Sequence, residues 1–118
     1  MRAGRVIALL LAVAATGCTD YADLVPLNGP AQAAGGAPVF RFARGFGGGF
    51  MNIRMPDGES LPGRFSISEV AGGPDGGGNF TATASGPRTA MSCRGNMAAG
   101  HGPIDCTANN GAVYRMML

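Results

Sequence analysis

The chain contains a single histidine, His101, and three cysteines, which are its natural candidates for metal binding or nucleophilic chemistry. A zinc site takes three or four ligands, and His101 has no second histidine to join it. Cys93 and Cys106 would bind a metal only as thiolates, so they would have to be reduced. The sequence therefore predicts no metal site and no cofactor, with His101 in a Gly-His-Gly loop.

Two carboxylates lie close together in the sequence, Asp57 and Glu59, and such a pair could divide acid and base catalysis. They belong to a Pro-Asp-Gly-Glu segment that is typical of a turn and would place them at an exposed hairpin tip. The chain contains no lysine, which excludes a P-loop and Schiff-base chemistry. It also contains no Gly-x-Ser-x-Gly nucleophile motif. These observations predict a protein that is not an enzyme.

Two glycine-rich segments are candidates for binding a partner. The first, 44–50, carries Arg44, Phe46 and Phe50, and exposed arginine and aromatic side chains are frequent in interfaces. These three residues are therefore candidate partner contacts, and the alternative is a loop with Phe46 folded back. The second segment, 72–79, is followed by no helix signal and indicates a long hairpin loop.

The first seventeen residues have the layout of a secretory signal peptide. Arg2 and Arg5 precede the apolar run 6–15, and small residues follow it. This run is shorter than the roughly 20 apolar residues that span a bilayer. The sequence thus predicts export and removal of residues 1–17.

The Ala-Thr-Gly-Cys segment 15–18 resembles the lipobox of bacterial lipoproteins, although the family prefers leucine where Ala15 stands. The resemblance implies cleavage between Gly17 and Cys18 and acylation of Cys18, which would anchor the chain in a membrane. Because Thr19 and not aspartate follows the cysteine, it also implies sorting to the outer membrane, facing the periplasm. The alternative is ordinary signal cleavage upstream, which leaves Cys18 as a free thiol.

Cysteine parity agrees with this interpretation. If a lipid occupies Cys18, then Cys93 and Cys106 remain as a pair in an oxidising compartment. A disulfide between these two residues would close a loop of thirteen positions and stabilise the fold by about 3 kcal/mol in the chain-entropy model. Small scaffolds usually need such a cross-link, so we predict this disulfide.

Residues 18–36 are predicted to be a flexible tether, because prolines and glycines interrupt every candidate helix or strand. Four apolar residues within it, which either dock on the β-domain or lie at the membrane interface, are Tyr21, Leu24, Val25 and Leu27. The predicted organisation is a signal peptide over 1–17, the tether over 18–36 and a β-domain over 37–118.

From residue 37 onward, apolar and polar residues alternate with the period of half-buried β-strands. The six segments with this pattern are 39–43, 50–55, 64–68, 80–85, 90–93 and 113–118. Turn signals such as Asp57-Gly58 separate them. The prediction is an all-β fold, a small antiparallel meander of about six strands that forms a barrel or a sandwich.

The charge balance excludes a nucleic-acid-binding role. Of the nine basic residues, Arg2 and Arg5 lie in the predicted signal peptide. The other seven are equal in number to the seven acidic residues. The exported part is therefore close to neutral and lacks the basic surface that nucleic acid requires.

The C-terminal part resembles a group of uncharacterised proteobacterial lipoproteins with two cysteines and a final Gly-x-x-Tyr hairpin, here Gly111 to Tyr114. That resemblance implies no specific activity. We therefore expect a lipid-anchored accessory protein of the outer membrane that contacts another envelope component. The alternative is a periplasmic binding module or enzyme inhibitor that acts through its glycine-rich loops.

Overall fold

The computed structural model describes residues 19–43, 47–69, 77–98 and 101–118. Within these ranges the chain forms nine β-strands and one short helix. Their bounds are β1 Thr19–Asp23, β2 Val25–Pro26, α1 Gly29–Ala33, β3 Val39–Ala43, β4 Gly48–Arg54, β5 Ser60–Glu69, β6 Gly77–Ser85, β7 Ala90–Ala98, β8 Pro103–Ala108 and β9 Val113–Met117. The prediction of an all-β fold is confirmed.

All of these strands belong to one antiparallel sheet that curls into a nearly closed barrel. From β3 to β9 each strand pairs with the next one along the chain. The N-terminal segment then joins the two sides, because β1 pairs with β3 while β2 pairs with β9. Leu24 connects β1 to β2, and its N–H donates to the carbonyl of Pro38 at 2.8 Å.

The barrel interior is filled by the inward-facing half of each alternating pattern, as in other small barrels. Four phenylalanines form its centre, with 5.5 to 6.1 Å between the centroids of contacting rings, and they are Phe40, Phe42, Phe65 and Phe80. Tyr114 belongs to the same buried core, and burial raises the pKa of its phenol. The side chains that alternate with these core residues project outward, and they form the outer surface on which a functional site must lie.

The prediction of a flexible tether is wrong for residues 19–36, which contribute β1, β2 and α1 to the barrel. Asn28 shows how this segment is held. Its Oδ1 accepts from the N–H groups of Ala31 and Val113, both at 3.1 Å, and its Nδ2 donates to the carbonyl of Gly111 at 2.9 Å. One side chain thus caps α1 and ties it to the β8–β9 turn.

Only part of the apolar cluster in this segment docks into the core. Leu24 is fully buried, whereas Tyr21, Val25 and Leu27 are 64, 55 and 45% exposed. Backbone pairing, rather than side-chain burial, therefore holds most of β1 and β2 in place.

The sheet has nine strands instead of the predicted six. Two of the additional strands come from the N-terminal segment, so among the described residues the barrel begins at Thr19 and not at residue 37. The third is β8, whose buried side chains are Ile104, Cys106 and Ala108. Two of these are small, and Pro103 precedes them, so the local strand signal is weak. Pairing with β7 and β9 on its two sides makes this segment a strand.

The predicted disulfide between Cys93 and Cys106 is confirmed. The two cysteines are direct register partners on β7 and β8, with their Cα atoms 4.0 Å apart. Both side chains are buried. The bond therefore cross-links neighbouring strands of the barrel wall from the core side.

Candidate functional site

Arginine and aromatic side chains meet on the outer surface of β1, β3, β4 and β5. Phe50 is 72% exposed, and the guanidinium of Arg64 lies over its ring, 4.8 Å from the centroid. Tyr21 is 64% exposed, and the guanidinium of Arg41 lies 5.6 Å from its ring centroid. Both distances are within the range of cation–π attraction. We refer to these four residues as the arginine–aromatic face.

Strand register produces this face. Tyr21 lies directly opposite Arg41, and Phe50 lies directly opposite Arg64. Side chains of register partners project from the same side of a sheet. Because the alternating apolar residues take the inner side, these four side chains all project outward.

A shallow groove of about 350 Å³ crosses the outer surface of β1, β3 and β4. Thr19, Arg41 and Phe50 line it. Within it, the amide Nδ2 of Asn52 donates to the hydroxyl of Ser60 at 2.6 Å. The groove therefore combines a cation, an exposed ring and hydrogen-bonding groups.

Two exposed arginines, Arg41 and Arg54, line this groove, and Arg64 lies beside it over the ring of Phe50. Arg41, Arg54 and Arg64 form no ion pair with any residue in the described ranges. Arg115, on β9, differs: its Nε donates to Oδ1 of Asp105 at 2.7 Å, which lowers the pKa of that carboxyl. Guanidinium groups without a carboxylate partner are suited to binding phosphate or carboxylate anions.

Glu59 is buried, in contrast to the exposed hairpin tip predicted for it. Its Oε1 accepts from the Thr89 hydroxyl at 2.7 Å, and its Oε2 accepts from the N–H groups of Arg88 and Thr89 at 2.7 and 2.8 Å. These hydrogen bonds, that of the hydroxyl first, lower the pKa of the Glu59 carboxyl. Asp57 is exposed as predicted, and Nη2 of Arg88 donates to it at 2.9 Å. The two carboxylates thus join neighbouring turns and are not arranged for acid catalysis.

His101 is exposed, and its Nδ1 lies 3.2 Å from the carbonyl oxygen of Leu118. The carboxylate nearest to it in the sequence, Asp105, is bound by Arg115 instead. Within the described ranges, no three His, Cys, Asp or Glu residues are grouped to hold a metal ion. His101 therefore contacts the backbone of Leu118 through its ring and forms an isolated bridge with Ala98, the last residue of β7.

A second groove, of about 660 Å³, runs across the outside of β5 to β8. Its polar lining includes Thr83, Ser85, Ser92 and Thr107, with Arg64 beside them. The lining contains hydroxyl groups but no acidic residue, histidine or cysteine. It can donate and accept hydrogen bonds, and no residue of this lining is an acidic side chain or histidine that could activate a hydroxyl as a nucleophile.

Of the candidate partner contacts predicted from the sequence, Phe50 lies on the arginine–aromatic face. Arg44 and Phe46 lie outside the described residues, as do Gly17 and Cys18 of the predicted cleavage and lipidation site.

Sequence analysis named Tyr21 only as a residue that docks on the β-domain or lies at the membrane interface, and it did not identify Arg41 or Arg64 as a site residue. The alternation along β3 and β5 does place Arg41 and Arg64 on the outer side of their strands. However, only the register of four strands shows that each of them meets an exposed ring.

Comparison with known proteins adds no relative, because no protein family, curated protein or solved structure matches this chain. Among the helices of the described residues, none has the length and apolarity needed to cross a membrane. The candidate site is therefore defined by its own geometry.

Proposed function

We propose that this chain is a lipid-anchored accessory protein of the bacterial envelope that acts by contact with an anionic envelope component and not by catalysis. The observation that most supports the proposal is the arginine–aromatic face, where the guanidinium of an arginine lies over each of two exposed rings. The anchor is inferred from the lipobox-like segment and Cys18. The outer membrane, on its periplasmic side, is the location that Thr19 favours.

The composition of the face supports a binding role. Tyrosine, phenylalanine and arginine are enriched in interfaces, and they often contribute most of the binding energy. A guanidinium stacks on aromatic rings and carries five N–H donors in a rigid planar arrangement that matches carboxylate and phosphate groups. Charge complementarity then favours an anionic partner, because no described carboxylate neutralises Arg41 or Arg64.

Site-specific photocrosslinking in intact cells tests this function. A photoreactive amino acid would replace Phe50 in one variant and Val25, an exposed apolar residue outside the face, in a matched control. We expect an adduct with an envelope component at position 50 and little at position 25. We also expect the adduct to be lost in the Cys18→Ala chain. Equal labelling at the two positions would contradict the proposal.

A periplasmic binding module or inhibitor is the alternative function. Such a protein would recognise a soluble ligand, so its contacts would not depend on the anchor. Labelling at position 50 that persists at full strength in the Cys18→Ala chain would favour this alternative.

A further inference from the structure

Among the described residues, the barrel wall begins at Thr19, which follows the proposed lipid attachment site in the sequence. Thr19 is the first residue of β1 and lies opposite Ala43 on β3. Cys18 directly precedes it in the sequence, and adjacent Cα atoms are about 3.8 Å apart. Acyl chains on Cys18 would therefore hold this end of the barrel at the headgroup layer without a spacer. This step rests on the proposed function, since it takes Cys18 to be acylated.

The arginine–aromatic face lies at the same end of the sheet as Thr19. Thr19 lines the smaller groove together with Arg41 and Phe50. Tyr21 is two residues farther along β1, which corresponds to about 7 Å in a strand. Phe50 is the third residue of β4, and β4 begins at this end of the sheet. The proposed anchor and the face are therefore neighbours on one surface.

The side chains of the face match the chemistry of a phospholipid headgroup layer. Tyrosine concentrates at the interface between water and hydrocarbon, and phenylalanine lies on the inserted side of interfacial segments; Tyr21 and Phe50 are mostly exposed here. Arg41 and Arg64 each lie over one of these rings, and a guanidinium binds phosphate through paired hydrogen bonds. The face thus offers apolar contact and phosphate binding at the same place.

We propose that the arginine–aromatic face docks on the phospholipid surface into which the acyl chains of Cys18 insert. Arg41 and Arg64 bind lipid phosphates, and the rings of Tyr21 and Phe50 enter the headgroup layer. Docking orients the barrel, so that the outer surface of β1, β3, β4 and β5 lies toward the membrane.

Tryptophan quenching tests this docking, because the chain contains no tryptophan of its own. The acylated protein would be reconstituted in phospholipid vesicles whose lipids carry a quencher close to the headgroup. Phe50→Trp would be compared with Val25→Trp, which replaces an exposed apolar residue toward the opposite end of the sheet. We expect strong quenching and blue-shifted emission at position 50 and neither at position 25. Equal quenching at both positions, or none at position 50, would overturn the proposal.

A second position keeps the test independent of the Phe50 substitution. Tyr21→Trp should reproduce the quenching, because Tyr21 is also exposed on the face and near Thr19. If Phe50→Trp unfolded the barrel, the result at position 21 would decide.

Arginine variants examine the role of charge in the same vesicles, prepared with anionic phospholipid. Arg41→Gln and Arg64→Gln should each lower the ratio of docked to undocked barrels about fivefold, the effect of one basic residue near an anionic surface. Arg94→Gln is the matched control, since Arg94 is an exposed arginine on β7 outside the face. An equal effect of all three substitutions would contradict phosphate binding by the face.

Mass spectrometry of the same preparations separates this proposal from the proposed function. An unacylated Cys18 would refute the proposed anchor and, with it, the docking that rests on it. An acylated Cys18 without quenching at positions 21 and 50 would refute the docking and leave the proposed function standing.

Discussion

Leu24→Ala tests how the N-terminal segment closes the barrel, because Leu24 connects the two strands that pair with β3 and β9. Its side chain is fully buried, and it stands between β1 and β2, which pair with opposite sides of the sheet. Truncating a buried leucine removes favourable burial and leaves a cavity, which together cost about 2–5 kcal/mol. Because a small domain is stable by only about 5–15 kcal/mol, a large part of its free energy of unfolding should be lost.

Denaturant unfolding followed by circular dichroism measures this loss, and Val25→Ala is the matched control. Val25 is the next residue and is 55% exposed, so its truncation should change the free energy of unfolding by less than about 0.5 kcal/mol. In a flexible tether, both substitutions would be harmless. A Leu24→Ala chain as stable as the Val25→Ala chain would therefore refute the assignment of this segment to the barrel.

Reduction of the Cys93–Cys106 disulfide should lower the free energy of unfolding by about 3 kcal/mol, because a cross-link spanning thirteen positions is lost. Calorimetry should then show a melting temperature lowered by about 12 to 24 °C, and an unchanged melting temperature would contradict this. Glu59→Gln should flatten the dependence of stability on pH. The pKa of Glu59 is lowered by folding, so its contribution is complete above the unfolded pKa and is lost as the pH falls through the folded pKa. Unfolding curves recorded across the acid range, for the unsubstituted chain and for Glu59→Gln, check this prediction. An equal loss of unfolding free energy in both chains as the pH falls would count against it. Gly63→Ala should destabilise by about 1–3 kcal/mol, because its Cβ would meet the backbone of β6, whereas Gly29→Ala has open space. Equal thermal stability of these two variants would disprove the close approach.

The fold class follows from local sequence because the period of two is a local property. The segment 39–43 shows which residues face the core without any knowledge of its neighbours, and Phe40 and Phe42 are indeed buried. The disulfide follows from the number of cysteines and the expected compartment. Prolines and glycines in 19–36 also correctly indicate that this segment contains no long strand or helix, since β1 and α1 have five residues each.

The local sequence of residues 19–36 does not reveal that this segment pairs with strands distant in the sequence. β2 has only two residues, too few for a recognisable pattern, and β9 holds it in the sheet. Glu59 illustrates the same limit, because its donors come from a turn about thirty residues away. A charged residue beside a turn signal indicates exposure by itself, and only the neighbouring turn provides the hydrogen bonds that allow its burial.

The sequence by itself therefore determined the β-class of this protein and the core-facing residues of the six alternating segments, because periodicity is carried by residue types alone. It also gave the pairing of Cys93 with Cys106, once Cys18 was assigned to the lipobox-like segment. Only the tertiary structure decided that residues 19–26 close the barrel and that Arg41 meets Tyr21 and Arg64 meets Phe50. The physical reason is register. The alternation along one strand defines which face a side chain occupies, but its neighbour on that face depends on how strands distant in sequence align, and a shift of register changes every such pair.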